Sequence, residues 1–239
     1  MAAVKICGIT SVEDAFAACD HGAEALGFIF FERSPRYLKP MEARKIIQTL
    51  PPGIAKVGVF VNPEISLVRN LREYCRLDFI QFSGDELPDL CSQIPASILL
   101  KAVSGYPREG PGDLDLYRAR AFLIDSREPG FFGGTGKYSD WGLAKAIGKK
   151  HPIVLAGGLN SENVEAAIAA VSPGAVDVSS GVEISPGKKD SRKMRLFIEK
   201  AHSLSGGVGG ASIFSLDEIL SERDGKLGER IKNENQSAG

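Results

Sequence analysis

Short apolar runs rich in β-branched and aromatic residues recur along the first two hundred or so positions of the chain. They occupy residues 4–9, 25–31, 55–61, 77–82, 97–103, 121–126, 153–156 and 175–179, and each predicts a strand. Between most of them lie stretches of helical length with apolar residues three and four apart. Glu42-Ala43-Arg44-Lys45-Ile46-Ile47 and Asn163-Val164-Glu165-Ala166-Ala167-Ile168 are examples. Helix starts are marked by Thr10 or Ser11, by Pro40, by Pro63, and by Asn160 or Ser161 ahead of Glu162.

Eight strands alternating with roughly eight helices admit two α/β architectures, an open doubly wound sheet or a closed barrel. An open sheet would carry a dinucleotide or triphosphate loop behind an early strand. Here Gly8-Ile9-Thr10 follows the first strand, with no GxGxxG. Gly136-Lys137 is a near miss for a P-loop, but position 131 is Phe and residue 138 is Tyr. The pattern therefore predicts a (β/α)8 TIM barrel over residues 1–203, with a short C-terminal extension over 204–239. Residues 203–212 carry four glycines and read as a flexible linker. Beyond it, Ser215 with Glu218 forms a capping box and Phe214 with Ile219 a hydrophobic staple. Leu216, Ile219 and Leu220 share one face of a helix ending near Gly225, ahead of a polar tail. That helix is expected to lie on the barrel surface or to be partly disordered, the alternative being a role in binding a partner.

Composition narrows the classes. Of 239 residues, 43% are hydrophobic and 25% charged, as in an ordinary soluble domain. Lys plus Arg is 29 against 30 for Asp plus Glu, a net charge of −1, which argues against nucleic acid or a membrane surface as partner. The early apolar run 25–31 falls far short of the ~20 residues of a membrane span. Residues 4–9 already read as a strand, so no signal peptide is expected. Cys7, Cys19, Cys75 and Cys91 form no CxxC, and His21, His151 and His202 are dispersed. The expectation is a cytoplasmic protein with reduced thiols and no metal. Glycine is the outlier, at 27 residues where ordinary usage supplies roughly 17.

A barrel of this kind carries its chemistry where strands end. Cys7 lies near the end of the first strand, with Lys5 two residues earlier on the same side. If that side faces the interior, the ammonium is expected to favour the thiolate and lower the thiol pKa. A lone strand cysteine is equally a small buried hydrophobe. Asp125 closes the sixth strand as a candidate general acid or as the cap of an Asx-turn. Asp177, in the eighth strand beside Ser179, is placed to pair with Lys5 across the closing seam, which would be structural support as much as catalysis. Gly157-Gly158 after strand seven and Ser179-Ser180-Gly181 after strand eight predict a backbone phosphate site, with ordinary turns as the alternative. Arg36, in Ser34-Pro35-Arg36-Tyr37, is either a carboxylate clamp or a solvated charge. The glycine-rich loop 127–138 reads as a lid or as a flexible connection.

Together these segments resemble the phosphoribosylanthranilate isomerase family of tryptophan biosynthesis. The matching stretches are Val4-Lys5-Ile6-Cys7-Gly8-Ile9-Thr10, Ala25-Leu26-Gly27-Phe28-Ile29-Phe30, Ser34-Pro35-Arg36 and Val57-Gly58-Val59-Phe60-Val61-Asn62. Gly133-Gly134-Thr135-Gly136 near Asp140-Trp141, Leu155-Ala156-Gly157-Gly158-Leu159, and Asp177-Val178-Ser179-Ser180-Gly181-Val182-Glu183 complete the set, in order across about residues 3–200. The resemblance implies a cofactor-free Amadori rearrangement of a phosphorylated small molecule by a monomer or homodimer. It makes Cys7 the general base and Asp125 the general acid, and gives Arg36 the anthranilate carboxylate. Gly157, Gly158, Ser180 and Gly181 become the phosphate cradle, with Asp177 and Ser179 counted among the substrate-binding residues. Ser83 stands where the family usually has a histidine, so an altered substrate contact is expected. The extension has no counterpart in the usual single-domain member; it is a lineage addition, a fusion remnant or a contact for another pathway enzyme. A histidine-pathway sugar-phosphate isomerase would want an aspartate at position 7, and a non-catalytic phosphate-binding barrel would not need Lys5, Cys7, Arg36 and Asp125 together.

Overall fold

In the computed structural model the described residues are 2–104, 111–125, 140–203, 212–217, 219 and 221. Eight parallel strands close on themselves in sequence order: β1 (Ala3–Cys7), β2 (Ala25–Ile29), β3 (Ala55–Phe60), β4 (Phe79–Phe82), β5 (Leu99–Ser104), β6 (Ala121–Asp125), β7 (Ile153–Leu155) and β8 (Ala175–Val178). The ring closes where β8 pairs with β1, with Lys5 opposite Asp177. This is the expected (β/α)8 barrel, with strand bounds shifted by a residue or two. β1 stops at Cys7 because Gly8 turns the chain at φ +75°.

Helices α1 (Val12–Asp20), α2 (Pro40–Thr49), α3 (Ile65–Cys75), α4 (Pro88–Cys91), α5 (Trp141–Gly148), α6 (Val164–Val171) and α7 (Ser191–Ser203) surround the strands. Ser11 caps α1 by accepting from Asp14 N at 3.1 Å, and Pro40 opens α2, both as the sequence predicts. Two starts come later than predicted. α3 begins at Ile65 behind Glu64, and Asn160 instead folds a turn by accepting from the N–H groups of Glu162 and Asn163 before α6 begins at Val164. The helical layer is also thinner than expected after β4 and β5. α4 has four residues, and the segment Pro111–Leu116 is a 3-10 helix. Among the described residues no helix is long and apolar enough to cross a membrane.

Residues paired in parallel register share a face. The face of Lys5 and Cys7 therefore continues through Gly27, Val57 and Val59, Gln81, Leu100 and Ala102, Leu123 and Asp125, Val154, and Asp177. This is the barrel interior, while Val4, Ile6, Leu26 and Phe28 pack outward under the helices. Near the strand starts five of the interior residues are alanines, Ala3, Ala25, Ala55, Ala121 and Ala175, beside the larger Phe79, Leu100 and Val154.

The extension supplies what this end lacks. Ile213, Phe214 and Ile219 are buried, and the Phe214 ring meets Phe79 edge-on at 5.9 Å. Arg120, just ahead of β6, donates from Nε to the Ile213 carbonyl at 2.6 Å and lies over the Phe79 ring. Ile213 also fills the space beside Gly174, where a Cβ would come within 2.7 Å of its Cδ1. Phe79, Arg120 and Gly174 all stand at strand starts, so Ile213 and Phe214 cover the N-terminal end of the barrel. Of the two states expected for this segment, lying on the barrel surface or partly disordered, the described residues take the first, with Ile213, Phe214 and Ile219 buried against the barrel. Those same side chains face this chain's own barrel. Glu218, Leu220, Gly225 and linker residues 204–211 lie outside the described residues; Ser215 Oγ bonds Asp217 Oδ2 at 2.8 Å.

Phe214→Ala should lower stability by about 3–5 kcal/mol, the usual cost of truncating a buried phenylalanine. Denaturant unfolding checks this, and deleting residues 206–239 should shift the midpoint at least as far. Unchanged midpoints in both variants would mean that the barrel closes its lower end unaided.

Candidate active site

At the opposite end, β1 delivers a buried thiol to the barrel mouth. Cys7 is 6% exposed, and Lys5 is fully buried one layer below it. Lys5 Nζ donates to Asp177 Oδ1 at 2.9 Å across the β8–β1 seam, the pairing that the sequence predicts. Gly27 on β2 leaves the room they need, since a Cβ there would stand 2.8 Å from Cys7 Sγ and 3.2 Å from Lys5 Cε. Burial disfavours the lysine charge, but Asp177 and then Cys7 outweigh it and hold the ammonium above the ordinary lysine range.

The predicted lowering of the Cys7 pKa is overturned. Burial pushes the thiol above its ordinary value, and the downward pull of Lys5 and Lys189 does not compensate. The physical reason is twofold: a thiolate loses its hydration here, and Asp177 cancels much of the field that Lys5 would exert.

Arg36 is neither solvated nor idle. It is 8% exposed, and its Nε and Nη2 bond both oxygens of Glu183 at 2.8 Å. Its stem crosses Gly8, where a Cβ would come 2.6 Å from Cδ. Glu183 opens a two-stranded hairpin, β9 (Glu183–Ser185) and β10 (Lys188–Lys189), turned at Gly187 with φ +81°. Antiparallel register sets Lys189 opposite Glu183, and its Nζ reaches Glu183 Oε1 at 2.8 Å and the Cys7 carbonyl at 2.6 Å. A longer bond, 3.3 Å, runs to the Ser179 carbonyl. Burial works against the Lys189 charge more than Glu183 restores it, so this ammonium sits below its ordinary pKa. Burial also opposes the Glu183 carboxylate, but Arg36 and Lys189 prevail and hold it below the usual range.

Sequence reasoning missed Glu183 and Lys189 as site residues. Glu183 stood inside a quoted motif without a role, and Lys188-Lys189 looks like any solvated pair unless the hairpin register is known. Glycine at the tight turn was the available signal.

The loops after β7 and β8 interlock. Gly157 and Gly158 take φ values of +79° and +65°. Any Cβ on Gly181 would collide with the Leu159 carbonyl, so glycine is required where a turn of 3-10 helix, Ser180–Val182, meets the β7 loop. Asn163 Nδ2 braces the Gly158 carbonyl at 2.9 Å. Ser179 Oγ is buried with no hydrogen-bond partner among the described residues, 3.2 Å from the Cβ position of Gly8. A buried hydroxyl without a partner is uncommon and suits a ligand oxygen.

Asp125 ends β6, half-buried, in register with Ser104 and on the interior face shared with Cys7. Two strands, β7 and β8, separate it from β1 around the ring. Ser83 follows β4, and its Oγ accepts from Gln81 Nε2 at 2.9 Å. The buried Lys101–Glu86 pair, at 2.8 Å, braces this loop, with Lys101 also donating to the Gly84 carbonyl. The predicted lid, 127–138, lies outside the described residues. A surface cavity lined by Phe30, Tyr37, Phe60 and Leu67 opens on the outer side of β2 and β3, away from Cys7.

Comparison with known proteins agrees with this geometry. The family model for N-(5'-phosphoribosyl)anthranilate (PRA) isomerase matches residues 4–200. The N-(5'-phosphoribosyl)anthranilate isomerase of Syntrophus aciditrophicus is 49% identical over 208 residues, 86% of this chain and 90% of the relative. The crystal structure of the Thermotoga maritima enzyme superposes with a TM-score of 0.75 at 41% identity, over 85% of this chain and all of that one. The Thermus thermophilus enzyme gives 0.76 at 36% identity, over 84% of this chain and 99% of that one. One solved relative, 40% identical with a TM-score of 0.75 over 85% of this chain and 100% of that one, is in complex with reduced 1-(o-carboxyphenylamino)-1-deoxyribulose 5-phosphate. With a barrel closed in the same order and a family match that spans it from β1 to α7, the chain belongs to the phosphoribosylanthranilate isomerases.

Proposed function

We propose that the chain converts N-(5-phosphoribosyl)anthranilate into 1-(2-carboxyphenylamino)-1-deoxyribulose 5-phosphate for tryptophan biosynthesis, with Cys7 as general base and Asp125 as general acid. The observation that carries this is the pairing of a thiol and a carboxyl on the interior face at the same barrel mouth. Asp125 protonates the furanose ring oxygen, the bond from that oxygen to C1′ breaks, and the anilinic nitrogen supplies the electron pair that makes the Schiff base. Cys7, as thiolate, then takes the C2′ proton, and the resulting enolamine tautomerises to the ketone. No redox step arises, and one acid and one base suffice.

The rest of the mouth fits the substrate's two anionic ends. Arg36 takes the anthranilate carboxylate on the guanidinium edge that Glu183 leaves open. Gly157, Gly158, Ser180 and Gly181 receive the phosphate through backbone N–H groups, with the Ser179 hydroxyl as a further donor. Asp177 acts by holding Lys5 beneath the thiol. Ser83, tethered to Gln81, offers a hydroxyl where a histidine is usual. Four free cysteines suit the cytoplasm.

Cys7→Ala and Asp125→Ala should each lower turnover by at least ~100-fold, because each removes a positioned base or acid. The loss of substrate fluorescence on adding enzyme measures this, and binding of the reduced product analogue should persist in both variants. Near-normal turnover in Cys7→Ala would sink the mechanism. The pH profile follows from the raised thiol pKa: the active form is deprotonated, so a higher pKa moves the rising limb of kcat/KM to higher pH. Activity should still be climbing at about pH 8.5, the ordinary thiol value. A plateau reached near neutrality would contradict a buried thiol base.

A further inference from the structure

Two buried cations share one buried carboxylate beside the thiol. Arg36 bonds Glu183 through Nε and Nη2, and Lys189 bonds the same Oε1, so the cluster carries a net positive charge. A salt bridge built only to neutralise Glu183 needs one cation; the surplus calls for a second anion. Because Nε and one Nη2 hydrogen are occupied, Arg36 offers that anion the edge formed by Nη1 and the second Nη2 hydrogen, and the planar guanidinium gives this edge a fixed direction. Lys189 registers the cluster to the chemistry by donating to the Cys7 and Ser179 carbonyls. The Gly187 N–H, 3.4 Å from Glu183 Oε1, adds a backbone contact to the carboxylate.

We infer that Glu183 is a positioning residue: it sets the direction of Arg36 toward the substrate's aromatic carboxylate and, through Lys189, fixes that direction relative to Cys7. This rests on the reading that Arg36 takes the anthranilate carboxylate. A carboxylate clamp is thereby tied to the base that must reach C2′, so recognition of the ring and proton abstraction share one rigid frame.

The test compares two ligands by calorimetry: reduced 1-(o-carboxyphenylamino)-1-deoxyribulose 5-phosphate and its counterpart lacking the carboxyl group. The wild-type protein should prefer the carboxylate ligand by at least ~10-fold, the scale of one charge-assisted bidentate contact. Glu183→Gln should lose most of that preference while binding the second ligand within about 2-fold of wild type. Glu183→Asp, which keeps the charge but shortens the reach, should fall between them and serves if Glu183→Gln does not fold. Equal weakening of both ligands would mean a general structural role and overturn the inference, as would an unchanged preference. A wild-type protein with no preference would instead overturn the Arg36 reading, and this inference with it.

Discussion

The Lys5–Asp177 ion pair is the contact on which both the closure of the barrel and the placement of its chemistry rest. It joins the first strand to the last, at the one seam that no covalent crossover spans. Taking two charges out of water is expensive, and only close contact inside the low-dielectric interior offsets it. Removing one partner from such a pair typically costs about 3–5 kcal/mol, because the other is left buried and uncompensated. The pair lies one layer below Cys7, so the seam and the thiol occupy the same small volume. Alanine or valine in place of both residues would close the ring without charge, but would leave Lys189 without the help of Lys5 in opposing the desolvation of the thiol.

Around that pair the molecule divides its work between two ends. The C-terminal mouth gathers charge: Lys5 paired with Asp177, and two cations, Arg36 and Lys189, around the single carboxylate of Glu183. Glycines 8, 27 and 181 stand wherever two backbones or a backbone and a long side chain must touch. The N-terminal end is apolar and short of volume, and Phe214 from the extension makes up the deficit against Phe79. The near-neutral composition therefore hides a strongly organised field of fixed local charges at the mouth.

Much of this was legible before folding. Short apolar runs alternating with stretches of period three and four specify eight βα units, and Gly157-Gly158 with Ser179-Ser180-Gly181 mark the loops after the seventh and eighth strands. Cys7, Asp125 and the Lys5–Asp177 pair follow from parity and from their places at strand ends. The thiol pKa was misjudged because a cation two residues away is visible in sequence, whereas the burial that outweighs it is not. Glu183 and Lys189 escaped for a similar reason: their partnership depends on a hairpin register across Gly187, and Arg36 lies 147 residues from Glu183.

The sequence by itself determined the order and kind of elements, because hydrophobic periodicity is a local property that each segment carries alone. It also determined which residue types were available at strand ends. Only the tertiary structure decided that Arg36 and Lys189 meet Glu183, how far the thiol is removed from water, and that Phe214 packs on the barrel's lower end. Those outcomes depend on distances between residues far apart in the chain and on the solvent that packing excludes, and neither quantity exists until the barrel has closed.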